Sequence, residues 1–367
     1  MKRIIKNKKL VFLFFLSSIL LLLVACSQEN KKEEENETPS QSETTLMEEP
    51  AERREFLMGT YIVLRVYDEE KEEALDDAID RIKELDKKLT SNGPGSEIGA
   101  INQAAGEEAV EVSDDVFPLI EAAEKYSSVP GSGFDYTIGP ITDLWRIGFD
   151  DARVPEVEEI EEVLPLVNHE KVKLDADKHT VFLTEEGMRI DLGAIAKGYI
   201  ADEAMDVLKD QGVTTAIVDL GGNVVIMGDS PTRDAGGFNV GVQNPDSTRG
   251  EIVGSINLKN KSIVTSGIYE RYIEKEGKAY HHLMNPDTGY PFDNDLAGVT
   301  VITDHSVDGD ALSTVVFGFG LEEGLDYVNS QDGIEAVFIS LDDEIYTSDG
   351  VTNEFNLTDD SFTWINQ

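Results

Sequence analysis

Two oxygen-bearing side chains, Asp310 and Thr314, stand four residues apart within residues 305–318. Ala311, Leu312, Val315 and Val316 make an apolar stripe at helical spacing, which predicts a helix over about 307–318. On that helix Asp310 and Thr314 share one face. A carboxylate and a hydroxyl side by side are hard oxygen ligands of the kind Mg²⁺ prefers. The plainer reading is an acidic cluster at a helix N-terminus, where the macrodipole favours negative charge.

A second constellation occupies residues 189–199. A strand is expected to end at Asp191, Gly193 permits a tight turn, and a helix follows. Such a helix start offers free N–H groups to an anion. Lys197 adds a positive charge there, a place the macrodipole disfavours for lysine, so its position wants another cause. An ordinary strand–turn–helix with a solvent-facing lysine is the alternative. Asp219, Gly221, Gly222 and Asn223 fit a hairpin or a close backbone approach to a ligand. His281 and His282 are adjacent on an extended segment and point to opposite faces, which argues against a two-histidine zinc site. Residues 285–289 are a turn on any reading. Residues 133–140, with Phe134, Asp135 and Tyr136, line a ring pocket or merely pack.

Each piece is weak alone, but their order and wording are specific. Met58-Gly59-Thr60, Phe134-Asp135 with Gly139-Pro140, Asp191 to Ala194 with Lys197-Gly198, Asp219 to Asn223, Thr265-Ser266-Gly267, His282 to Gly289, and Asp310 to Thr314 together resemble the FAD:protein FMN transferase family, the ApbE-like lipoproteins. The resemblance spans residues 54–345. It implies an α+β fold with a T-fold-like core of antiparallel strands and packed helices. It implies Mg²⁺ as cofactor and FAD as substrate, with FMN moved to a Ser or Thr of an acceptor flavoprotein and AMP released. Carried over by motif, the metal ligands are the Ala194 carbonyl, Asp310 and Thr314, with Ser313 assisting. The flavin-nucleotide contacts are Met58, Phe134, Asp135, Tyr136, Asp191, Lys197, Leu283 and Met284. Catalysis falls to His282 as general base or proton shuttle. Asp310 is a weaker candidate for that role, and His281 is structural. The family commonly has Asp where this chain has Asn285, which removes a charge from the turn. Three readings stand beside this one. They are a FAD pyrophosphatase on the same scaffold, left open by Asp308 as a second-metal ligand; a flavin-binding lipoprotein without chemistry; and a metal-dependent hydrolase.

The elements that must position these residues follow from periodicity. A strand is expected over 56–67 and amphipathic helices over 70–89 and 195–210. Shorter helices are expected over 96–103 and 156–164, and Ser113 should cap a helix ending near Tyr126. Strands are expected over 171–175, 179–184, 188–192, 215–220, 223–227, 238–243, 252–257, 262–265, 269–274, 297–303, 336–340 and 344–347. A last helix lies over 321–329. Strand runs broken by paired helices indicate α+β.

At the N-terminus, a basic stretch precedes the apolar run of residues 10–25 and Cys26, the only cysteine. This order of charge and apolarity is a secretory signal peptide over 1–25. Residues 23–26 match a lipobox, so Cys26 is the expected lipidation site, anchoring the protein outside the cytoplasmic membrane. Residues 26–52 read as a flexible linker and 53–367 as the catalytic domain. A formal net charge of −42 argues against nucleic acid as a partner. It also means that any anionic ligand needs a metal or a placed Lys or Arg. The acceptor is expected in an extracytoplasmic electron-transfer system.

Overall fold

The computed structural model describes residues 45–367, apart from Asn92, Pro94, Ala235, Arg249 and Gln367. The signal-peptide and Cys26 expectations lie outside the described residues. The chain is α+β, built on a nine-stranded sheet of order β1-β2-β6-β7-β10-β13-β14-β15-β17. Its strands are β1 (Leu46–Leu57), β2 (Thr60–Asp68), β6 (Ala216–Leu220), β7 (Asn223–Met227), β10 (Ser262–Gly267), β13 (Leu296–Thr303), β14 (Glu335–Ser340), β15 (Glu344–Thr347) and β17 (Thr363–Trp364). All neighbours are antiparallel except β15 and β17. Smaller sheets are β3 (Val110–Glu111) with β5 (Thr180–Leu183) and β4 (Val172–Asp175); β16 (Phe355–Leu357) with β9 (Ile252–Leu258) and β8 (Phe238–Gln243); and the hairpin of β11 (Tyr272–Lys275) and β12 (Lys278–His281).

Eight α-helices complete the described fold: α1 (Ala74–Leu89), α2 (Glu97–Gln103), α3 (Phe117–Ser127), α4 (Gly139–Trp145), α5 (Val157–Val163), α6 (Ala196–Asp210), α7 (Ser306–Phe319) and α8 (Leu321–Asn329). The central strands are buried on both faces because their side chains alternate between two cores. From β14, Ala336 and Phe338 join the cluster holding Ile79 and Ile82 of α1, Ile200 of α6 and Val315 of α7. Val337 and Ile339 of the same strand join Phe238, Val253 and Phe355 of the smaller sheet. A third cluster, around Trp145, Ile141, Ile160 and Met284, holds the segment that carries His282.

Four expectations need correction. The strand at 56–67 is a hairpin, turning at Met58 and Gly59, whose φ values of 53° and 72° fit a type I′ turn. Residues 46–52, expected in the linker, belong to β1. Its pairing to β2 supplies the backbone bonds, and Glu52 accepts from Arg65 at 2.8 Å, so polar side chains suffice on an edge strand. Residues 188–192 form no strand. The Asn102 side chain takes both polar groups of Ile190 instead, at 2.7 and 3.0 Å, replacing a ladder neighbour. Ser113 does not cap α3; its hydroxyl donates to Glu97 at 2.8 Å and the helix starts at Phe117.

The N-terminus of α7 has no cap from its own chain segment, since His305 makes none. Asp202, on α6, supplies it across the interface and accepts from the N–H groups of Ser306 and Val307, both at 2.9 Å. Asp202→Ala should therefore lower stability by about 1–2 kcal/mol. Urea unfolding measures this, and Asp202→Asn should recover part of the loss because one acceptor oxygen remains.

Candidate active site

The loop before α6 is shaped by Asp191. Its Oδ1 accepts from the Gly193 N–H at 2.8 Å and its Oδ2 from the Thr142 hydroxyl of α4 at 2.7 Å. Its own N–H donates to the Tyr136 carbonyl at 2.9 Å. Asp191 therefore sets the course of the chain into α6. Two residues inside that helix, the Gly198 N–H donates to Asp310 Oδ2 at 2.8 Å. In a regular helix the same N–H would bond the carbonyl four residues back, that of Ala194. Gly198 lies in the first turn of α6, where N–H groups lack partners within the helix, and the Asp310 carboxylate takes this one. A Cβ on Gly198 would lie 2.1 Å from the Ser306 carbonyl oxygen and 2.7 Å from the Asp310 Cβ, so only glycine permits this approach.

Asp310 is almost fully buried, and its Oδ1 lies 3.6 Å from Lys197 Nζ. Lys197 in turn donates to Asn223 Oδ1 at 2.5 Å. This is the other cause that a lysine at a helix start required. Thr314 is half-buried, one turn beyond Asp310 on the same face of α7. Among the described residues no three His, Cys, Asp or Glu side chains gather into one cluster. A cation here would be held by one carboxylate with neutral oxygens, a hard donor set that fits Mg²⁺ and leaves positions for phosphate oxygens.

Ser313, expected to assist, is engaged by other oxygens. Its hydroxyl donates to the Asp310 carbonyl and meets the Ser266 hydroxyl, both at 2.8 Å, which pins α7 to β10. Asp308 is likewise turned away: it accepts from the Tyr126 hydroxyl and pairs with Lys125.

His281 and His282 diverge as expected. His281 lies between the Phe292 carbonyl, 3.0 Å from Nε2, and the Leu283 N–H, 3.3 Å from Nδ1, so both nitrogens are engaged. His282 places Nδ1 3.2 Å from the Arg271 carbonyl. A carbonyl only accepts, so Nδ1 carries the hydrogen and Nε2 keeps its lone pair. Desolvation, then the charge of Arg271, holds the ring far below its usual pKa, to about 3. The charge of Lys197 acts on it in the same direction, as the smallest of these causes. The following turn is fixed by Asn285 Oδ1, which accepts from the Asp287 N–H at 2.8 Å, and by the Trp145 indole, which donates to the Gly289 carbonyl at 2.8 Å.

The expected flavin contacts mostly turn inward. Phe134, Tyr136, Leu283 and Met284 are buried core side chains, because apolar groups flanking helices are driven into the nearest cluster. Asp135 accepts from the Thr137 N–H and hydroxyl at 2.8 and 2.6 Å and from the His169 N–H at 3.1 Å, so it shapes its own loop. Met58 is half-buried in the β1–β2 turn. Lys197 alone of the expected nucleotide contacts presents its charge at the Asp310 centre. Sequence reasoning placed Asn223 in the 219–223 turn without a role for its side chain, and gave Arg271 none. The first is brought to Lys197 by tertiary packing, and the second was expected within a strand over 269–274, whereas β11 begins at Tyr272 and leaves Arg271 just before it.

The model of the ApbE family matches residues 58–338. A FAD:protein FMN transferase of Klebsiella pneumoniae strain 342 is 40% identical over 307 residues, which are 83% of this chain and 94% of that protein. One from Treponema pallidum strain Nichols is 33% identical over 325 residues, 84% of this chain and 90% of that protein. The crystal structure of the ApbE protein of Thermotoga maritima aligns with a TM-score of 0.75 at 31% identity, covering 83% of this chain and 99% of that one. The flavin transferase ApbE from Vibrio cholerae aligns with a TM-score of 0.74 at 25% identity, with the same coverage. The chain belongs to the ApbE family.

Proposed function

We propose that this chain is a Mg²⁺-dependent FAD:protein FMN transferase, anchored outside the cytoplasmic membrane through lipidated Cys26. It would attach FMN by a phosphoester to a Ser or Thr of an acceptor flavoprotein in an extracytoplasmic electron-transfer system. The relatives named above support the transferase reading. The observation that carries it in this chain is the meeting of Asp310, Lys197 and the start of α6.

Mg²⁺ held by Asp310, Thr314 and the Ala194 carbonyl would neutralise phosphate charge and act as a Lewis acid. The chain's own groups do the rest. Lys197 and Arg271 supply local positive charge in a protein of net charge −42, so an anionic pyrophosphate is drawn to this place and not to the general surface. His282 is unprotonated before substrate arrives, with Nε2 free to accept. In the transfer, the acceptor hydroxyl oxygen bonds to the FMN-side phosphorus, the phosphorus–oxygen bond to AMP breaks, and the hydroxyl proton passes to His282 Nε2. An incoming pyrophosphate offsets the part of this depression that comes from the nearby cations, though not the larger part from desolvation, and so raises the basicity of the imidazole as the substrate binds.

The test incubates the chain with FAD and Mg²⁺, with and without an acceptor flavoprotein. Intact mass follows the acceptor, and chromatography follows the nucleotides. The acceptor should gain one FMN with release of AMP, and both should vanish on Asp310→Ala. Free FMN and AMP without a labelled acceptor would identify a pyrophosphatase, and unchanged FAD that stays bound would identify a carrier. His282→Ala should slow transfer by about 10²–10⁴-fold while FAD binding, read by flavin fluorescence, persists.

A further inference from the structure

Asn223 has no part in the reaction described above, yet it touches the group on which that reaction depends. It opens β7, where it pairs with Leu220 of β6 on one side and Val264 of β10 on the other, so its backbone is fixed within the central sheet. Its side chain is 1% exposed. An ammonium can only donate, so the bond from Lys197 Nζ fixes Oδ1 towards the lysine and turns Nδ2 away. Nδ2 is buried without a hydrogen-bond partner among the described residues. A buried donor left unpaired calls for a reason other than stability.

Lys197 Nζ stands 3.6 Å from Asp310 Oδ1, beyond hydrogen-bonding distance. With so little water around Asp310, attraction between the two charges would close that gap unless something holds the ammonium back. Closure would place the lysine on the oxygen that a divalent cation needs. We propose that Asn223 is a positioning residue: it holds Lys197 off Asp310, keeping the carboxylate open to a divalent cation and the ammonium available to a phosphate. A neutral amide suits this task, because it anchors the lysine by one hydrogen bond without adding a second negative charge that would bind the cation elsewhere. The inference rests on the Mg²⁺ site of the proposed function.

The test is calorimetric titration of Mg²⁺ alone into the chain, into Asn223→Ala, into Lys197→Met and into the double variant, each checked for folding by circular dichroism. Asn223→Ala should weaken Mg²⁺ binding by about tenfold, the range seen when a group orienting a metal ligand is lost. Lys197→Met added to Asn223→Ala should restore the affinity to that of Lys197→Met, because the lysine that closes on Asp310 is gone. A merely structural defect at position 223 would not be rescued in this way. Wild-type binding with an unchanged Asn223→Ala, or a loss that persists in the double variant, overturns the inference alone. Absence of Mg²⁺ binding by the wild-type chain overturns the metal site and this inference with it.

Discussion

The close approach of α6 to α7 at Gly198 is the constraint on which the site depends. A missing Cβ lets the backbone N–H of one helix reach the carboxylate of the other. One turn later, Asp202 reaches across the same interface to cap α7. The two bonds act in opposite senses, since a carboxylate on α7 meets an N–H of α6 and a carboxylate on α6 meets N–H groups of α7. Sliding or rotating either helix breaks both. The first bond also gives a partner to a first-turn N–H that the helix itself leaves unpaired.

Around that junction the electrostatics run against the rest of the molecule. Burial raises the Asp202 carboxyl to about 6, although its two backbone donors pull in the other direction. His282 is kept neutral by desolvation and by cations. Lys197 is held by an uncharged amide. A strongly acidic chain thereby concentrates cations and neutral groups at one place, which is what an anionic nucleotide requires.

The parts of this arrangement with a local signature were legible in the sequence. The stripe of Ala311, Leu312, Val315 and Val316 placed Asp310 and Thr314 on one face, and the helix after Gly193 was found within a residue or so of its ends. The divergence of His281 and His282 followed from strand geometry alone. What could not be read was set by distant partners. Asn102 replaces a strand at Ile190, Asp202 caps a helix about a hundred residues away, and Asn223 meets Lys197 from another element. Residues 46–55 of β1 escaped notice because an edge strand paired on one side tolerates polar residues that read as linker. Phe134 and Tyr136 were assigned to a ligand by motif, whereas burial claims them for the core.

Asn285 shows how a departure from the family pattern is weighed. Its side chain uses only the amide oxygen, accepting from the Asp287 N–H, while its backbone N–H donates to the Tyr290 carbonyl and its carbonyl accepts from Gly289. An aspartate would make the same side-chain bond with a carboxylate oxygen. The turn geometry therefore does not distinguish the two residues, and the position of His282 at its start is preserved. What differs is one negative charge in an already strongly acidic chain that must take up an anionic nucleotide. Its removal works in the direction of anion binding, the same direction in which Lys197, Arg271 and the neutral Asn223 already act.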